Sequence, residues 1–190
     1  MQNILLAAGL GSRSEGKKLL LPYRGTSIVA NAVLASLEAD LFTIVVTGYR
    51  SDEVVEHLKA LACHSLLIVH NPDYLQGQGS STQTGARHLS QDEPFFISLA
   101  DMPLIGKQHY HWIADNAHMD VVRPSFQGHF GHPVLLGPSF RQVILEEKLP
   151  FSMRSLLNRY PTQRLEVEDA AYVTDIDTLE AYHHLLATEQ

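Results

Sequence analysis

Cysteine is almost absent. The 190-residue chain holds only Cys63, so no internal disulfide can form and nothing calls for an oxidising compartment. Positive charge is scarce as well, with 14 Lys and Arg against 21 Asp and Glu and a net charge of −7. Such a chain lacks the basic face that duplex nucleic acid requires. No apolar run approaches the ~18 residues of a membrane span. The opening MQNILLAAGLGSR is briefly apolar, but no basic segment leads it and Arg13 interrupts it too early for a signal peptide. The expected compartment is therefore the cytoplasm. Repeats, low-complexity tracts and Pro/Gly/Ser-rich linkers are missing too, so a single domain over 1–190 is expected. What is present is an ordinary globular balance, 45% hydrophobic and 18% charged, enough for one buried core.

Short apolar runs alternate with amphipathic stretches. Residues 3–8, 43–47, 65–70 and 95–100 have the length and composition of fully buried parallel strands. Residues 27–39, 52–62 and 79–90 fit helices, the first with Ile28, Val29, Ala32, Val33, Leu34 and Leu37 as its apolar stripe. This rhythm predicts a doubly wound α/β sheet. Beyond residue 120 the pattern changes: 121–136 reads as two strands around the turn FQGHFG. A helix pair, a strand near 164–168 and a helix from 178 follow.

Ligands of open parallel sheets bind beyond the carboxyl ends of the strands. That rule singles out 8–18, 71–81, 101–106 and, if 172–174 is a short strand, Asp175. The first exit is rich in glycine and basic residues: 11–24 hold Arg13, Lys17, Lys18 and Arg24 against a single acid. Glycines admit close backbone approach, and Arg and Lys beside them suit a polyphosphate. Gly11 to Lys17 fits a P-loop until Lys18 takes the place of the required Ser or Thr. Gly9 and Gly11 fit a dinucleotide fingerprint until Ser14 takes the third glycine position. At the second exit Asn71-Pro72 ends a strand, and Ser80 or Ser81 either caps the next helix or lines a polar pocket. Asp101 either holds Mg²⁺ at the end of a strand or is a turn residue ahead of Pro103. His132 either meets a ligand or bonds its own turn. His109, His111, His183 and His184 are expected on helix surfaces, and Asp177 with Glu180 has the spacing of a capping box.

LAAGLGSR (6–13) followed by KLLLP (18–22) resembles the nucleotide-binding signature of the MobA-like NTP transferase family. LAAG together with KLLLP is similar to its molybdenum cofactor cytidylyltransferase-like branch. The resemblance extends to NPDYLQGQGSS, ADMPLI, RPSFQGHFGHPVLL and VTDIDTLEAY, and so covers nearly the whole chain. It implies a Rossmann-like three-layer α/β/α nucleotidyltransferase fold with a mostly parallel central sheet. It also implies that Leu6, Ala7, Ala8, Gly9, Gly11 and Ser12 wrap the nucleotide phosphates and that Arg13 and Lys18 neutralise them. Asn71, Gly77 and Ser81 then stand beside the base. Asp101 holds the catalytic Mg²⁺, with Asp175 as a second ligand or a loop hydrogen-bonding group. Gly131, His132 and Arg154 fall on the acceptor side. Two departures stand out: Glu15 occupies a glycine position of the branch, and LPFSMRSLL keeps Arg154 but lacks the branch's Gly-Asp pair.

The implied reaction is nucleotidyl transfer, with CTP expected before GTP as donor and a molybdopterin-type cofactor as acceptor. Arg13, Lys18 and Asp101 would carry it. A phosphate monoester is already largely ionised at neutral pH, its second pKa being near ~6, so the reaction needs positioning and charge neutralisation rather than a general base. A different phosphorylated acceptor, or a delivery protein without catalysis, are the alternatives. A molybdoenzyme or its insertion chaperone is the protein partner the resemblance implies.

Overall fold

A computed structural model describes residues 1–10 and 17–188. Its centre is an eight-stranded sheet made of β1 (Gln2–Ala7), β4 (Phe42–Thr47), β5 (Leu66–His70), β6 (Phe95–Leu99), β7 (Val121–Phe126), β8 (His129–Phe130), β9 (Val134–Leu136) and β10 (Gln163–Glu166). The order is β10-β7-β9-β6-β1-β4-β5, with β8 on β7; a small hairpin of β2 (Pro22–Tyr23) and β3 (Thr26–Ser27) stands apart. β1 pairs in parallel with both β4 and β6, β4 with β5, and β7 with β10. Only β9 and the short β8 run against their neighbours. The helices are α1 (Ile28–Glu38), α2 (Ser51–Leu58), α3 (Gln78–Ala86), α4 (Lys107–Asp115), α5 (Phe140–Glu146), α6 (Met153–Leu157) and α7 (Leu179–Thr188). None of the described helices is long and apolar enough to cross a membrane.

The apolar runs form strands because helices bury both faces of the sheet. On one face Ile4, Ile44, Phe95 and Leu136 pack with residues of α5 and α6. On the other, Leu5, Val45, Val29 and Val33 form one cluster, and Phe96, Val122, Tyr110 and Ile113 form a second. Side chains buried this fully each contribute roughly 1.5–3 kcal/mol. Buried polar groups at the sheet centre bond to each other. Asn3 donates to Ser36 at 2.9 Å and accepts from Ser98 at 2.9 Å.

The expected strands and helices are present, within a few residues at their ends, and two readings are corrected. Residues 121–136 make three strands, since the chain leaves β8 and enters the sheet again as β9 between β6 and β7. Residues 170–173 form a 3₁₀ turn rather than a strand. Asp169 accepts from the backbone N–H of Ala171 at 2.8 Å, and this local bond closes the turn in place of a sheet ladder.

The strand order reverses at β1. From β1 the chain moves outward one way to β4 and β5, then returns to add β6 on the other side of β1. The crevice of an open α/β sheet lies at that reversal, beyond the carboxyl ends of β1 and β6.

Candidate active site

A cavity of about 310 Å³ opens at that reversal. Leu6, Ala8, Gly9 and Leu10 come from the end of β1, and Leu99 and Asp101 from the end of β6. The third wall is Tyr74, Leu75, Gly77, Gln78 and Ser81, where a 3₁₀ turn leads into α3. The N-terminal turn of α3 thus borders the space, an arrangement suited to anions.

Charged groups gather at one edge. Lys18 Nζ donates to Asp101 Oδ2 at 2.6 Å and to Asp177 Oδ1 at 3.0 Å. Asp101, Asp175 and Asp177 each bring a carboxylate oxygen into a group spanning no more than 4.8 Å. The backbone sets this up, because Ile176 N–H donates to the carbonyl of Asp101 at 2.9 Å and pins the segment on the strand exit. Burial works against the Lys18 charge, but the paired carboxylates outweigh it and raise its pKa. The Asp175 carboxyl is raised by burial and by its acidic neighbours Asp177 and Asp101. Three carboxylates thus gather around the Lys18 ammonium. Hard oxygen donors so grouped fit Mg²⁺.

Eight of the expected site residues meet here. Leu6, Ala8, Gly9, Gly77, Ser81 and Asp101 line the cavity, and Lys18 and Asp175 stand at its acidic edge. Ala7 is buried in the sheet beneath. Asn71 lies behind the wall: its amide donates to Ser80 Oγ at 2.9 Å and Ser81 Oγ at 3.0 Å, and its Oδ1 accepts from Asp73 N–H at 3.0 Å. It therefore positions Ser81. Gly11, Ser12 and Arg13 lie outside the described residues.

Of the residues expected on the acceptor side, Gly131 packs where a Cβ would stand 1.9 Å from the Tyr172 carbonyl oxygen, so only glycine fits without displacement. The His132 ring is partly buried, and its Nδ1 donates to the Ile97 carbonyl at 3.3 Å, while its backbone N–H donates to the Tyr172 carbonyl at 2.8 Å. The ring bonds a neighbouring strand rather than its own turn. Burial lowers its pKa and keeps it neutral. Arg154 is exposed on α6.

Two further expectations are overturned. His109 is buried, not on the surface. Its Nδ1 accepts from Gly106 N–H at 2.8 Å, leaving Nε2 to donate to Asp169 Oδ2 at 3.0 Å. Residues 109, 110 and 113 share the inward face of α4, and a partner 60 residues away satisfies the imidazole. Asp177 is not the cap of α7: Thr178 Oγ1 accepts from Ala181 N–H at 3.1 Å and serves there, while Asp177 turns to Lys18. Its place in the acidic group was missed, although DID with Asp175 was a readable signal.

This fold and the grouping of acids and lysine at its crossover define a protein of the nucleotidyltransferase class. The sequence matches the MobA-like NTP transferase domain over residues 3–165, and the chain belongs to that family. It is 31% identical over 176 residues to a molybdenum cofactor cytidylyltransferase of Escherichia coli K12, covering 92% of this chain and 90% of that one. It is 25% identical to a nicotine blue oxidoreductase of Paenarthrobacter nicotinovorans, covering 96% and 95% of the two chains. A nucleotidyl transferase from Methanothermobacter thermautotroptrophicus superposes with a TM-score of 0.80 at 23% identity, with 98% of each chain covered.

Proposed function

We propose that this chain transfers CMP from CTP to the terminal phosphate of a molybdopterin-type cofactor and releases pyrophosphate. The observation that carries this reading is the grouping of Lys18, Asp101, Asp175 and Asp177 at the edge of the cavity between β1, β6 and α3. The cytidylyltransferase relative at 31% identity supports CTP over GTP and supports the acceptor class.

In this reading the backbone from Leu6 to Gly9 and the first turn of α3 hold the nucleotide. The same reading assigns Gly11, Ser12 and Arg13, outside the described residues, to the triphosphate. Leu6, Leu10, Leu75 and Leu99 supply apolar walls for the base, with Ser81 and Gln78 as its polar contacts. Asp101 and Asp175, joined by Asp177, would hold Mg²⁺, which supplies charge neutralisation at the triphosphate. Lys18 then turns from its carboxylates toward phosphate oxygens and stabilises charge on the leaving group. Gly131 and His132 shape the acceptor side through the backbone, His132 as a neutral structural group, and Arg154 stands over it as a cation. The protein works in the cytoplasm, handing its product to a molybdoenzyme or an insertion chaperone.

The test is pyrophosphate release with Mg²⁺ and each of the four NTPs, with and without molybdenum cofactor. Cofactor-dependent release with CTP is the expected result. Release with GTP alone would reassign the donor. Nucleotide binding without release under any pairing would make the protein a carrier, and no binding by folded protein would remove the nucleotide site.

A further inference from the structure

β7 carries an arginine and a serine that each bury a polar atom with no hydrogen-bond partner among the described residues. Phe95 and Val121 both pair with Leu136, and Phe96 and Val122 both pair with Leu135. Arg123 is therefore level with Ile97, and Ser125 with Leu99, on the same face of the sheet. Leu99 lines the nucleotide cavity, so Ser125 stands on the same floor two strands away, roughly 10 Å. Phe130 is the register partner of Ser125 on β8. β10 occupies the other edge of β7, so β8 and Phe130 lie on the cavity side.

The guanidinium of Arg123 sits 3.8 Å from the centre of the Phe130 ring, and that of Arg164 4.7 Å from it. Arg123 is only 7% exposed, and Ser125 is fully buried. Arg123 Nη1 reaches Asn158 Oδ1 at a long 3.5 Å, while its Nε and the Ser125 hydroxyl have no hydrogen-bond partner among the described residues. Arg154 lies four residues before Asn158, one helical turn away along α6, and its charge acts on Arg123. No described carboxylate pairs with Arg123 or Arg154; Arg164 alone has Glu166, at 3.7 Å. Burial and the charges of Arg154 and Arg164 lower the Arg123 pKa. Three guanidinium groups thus crowd one place in a chain of net charge −7. Buried unpaired donors and unopposed cations are costly unless an anion completes them.

We propose that Arg123, Arg154 and Ser125, above Phe130, form an oxyanion subsite for the phosphate monoester of the acceptor. This rests on the nucleotidyl-transfer reading. The planar fork of arginine binds two phosphate oxygens at once, and the serine hydroxyl supplies a further donor. The remaining oxygen faces the cavity. It forms the new bond to the α-phosphorus as the bond to the bridging oxygen breaks, and pyrophosphate leaves with that electron pair. A phosphate dianion needs no base to release a proton. His132, engaged with the Ile97 carbonyl, takes no part in holding the phosphate.

The experiment is a calorimetric titration of inorganic phosphate, at fixed ionic strength, into the full chain saturated with Mg²⁺ and a non-hydrolysable CTP analogue. One saturable site is expected. Arg154→Gln, a surface change, and Arg123→Lys, which keeps the charge but loses the fork, should each weaken phosphate at least about tenfold and leave nucleotide affinity within about twofold. Absence of phosphate binding to the wild type, or unaltered binding in Arg154→Gln, overturns the subsite while leaving nucleotide binding intact. If the analogue itself fails to bind, the nucleotidyl-transfer reading falls instead. The same phosphate titration without nucleotide then decides the subsite by whether Arg154→Gln abolishes binding.

Discussion

Lys18 Nζ lies 2.6 Å from Asp101 Oδ2, joining the segment after the first strand exit to the end of β6 across the crevice of the sheet. The two residues are 83 apart in sequence, and only the parallel pairing of β1 with β6 brings them together. Without ligand the lysine is the counter-ion of the acids. In the proposed transfer it would instead serve phosphate oxygens.

That exchange gives the first prediction. Lys18→Met removes the cation that Asp101 and Asp177 share. The nucleotide should bind more weakly, and transfer should slow by about 10²–10³, the usual loss for one charge-stabilising contact. Steady-state kinetics of pyrophosphate release measure both. Unchanged kcat and KM would show that Lys18 is only a structural ion-pair partner.

Asp101→Asn keeps the shape and the backbone bond from Ile176 but removes the charge at the end of β6. The variant should fold with a thermal midpoint near that of the wild type and lose at least about 10²-fold in transfer rate. Circular dichroism and a turnover assay separate the two properties. Full activity would take Asp101 out of the mechanism.

The fold was legible because its core strands are continuous apolar runs, and Ile4, Ile44 and Ile97 sit in register across β1, β4 and β6. The return of 134–136 as an antiparallel strand was not, since HPVLL gives no sign of which neighbours it will pair with. Asp101 and Lys18 were readable from motifs at strand exits. Asp177 was misread because its local spacing to Glu180 suits a helix cap, whereas in the fold it turns to Lys18. His109 failed for a similar reason: Asp169, far away in sequence, satisfies it. Arg123 and Ser125 carry no periodic signal inside an otherwise ordinary strand.

Two glycines in one hairpin separate packing from chemistry. Gln127 and Gly128 both have positive φ, 48° and 84°, the two-residue turn that suits twisted strands. A Cβ on Gly128 meets nothing within 4 Å, so Gly128→Ala should cost only the backbone strain, about 1 kcal/mol. Gly131→Ala drives a Cβ into the Tyr172 carbonyl and should cost about 3 kcal/mol or more by displacing the turn at 170–173. Urea unfolding of both variants checks the order, and equal costs would contradict the packing described at Gly131.

His132 predicts an acid-side change in stability. Its folded pKa is lowered below the ordinary 6.5, chiefly by burial. The unfolded chain thus binds a proton more readily, so the stability is fully present above about pH 6.5 and is lost as pH falls through the folded value. His132→Asn retains a donor for the Ile97 carbonyl and has nothing to titrate. The variant should show a flatter dependence of the unfolding free energy between pH 7 and pH 5 than the wild type. Parallel slopes in that window would assign the acid sensitivity to other groups.

The acidic group should reveal a metal without any turnover. Asp175 is held above its ordinary pKa by burial and by Asp177 and Asp101, so a divalent cation relieves repulsion that the folded state otherwise carries. Binding to the folded state alone adds about 2.7 kcal/mol when the ion is at a hundred times its Kd. Mg²⁺ at millimolar concentration should raise the thermal midpoint of the wild type, and EDTA should reverse the rise. In Asp175→Asn the untreated protein should be no less stable than the wild type, because a repulsive charge has gone, while the Mg²⁺ response should shrink. A wild type indifferent to Mg²⁺, or an Asp175→Asn variant with an undiminished response, would remove Asp175 from the metal site and leave Asp101 and Asp177 to be tested alone.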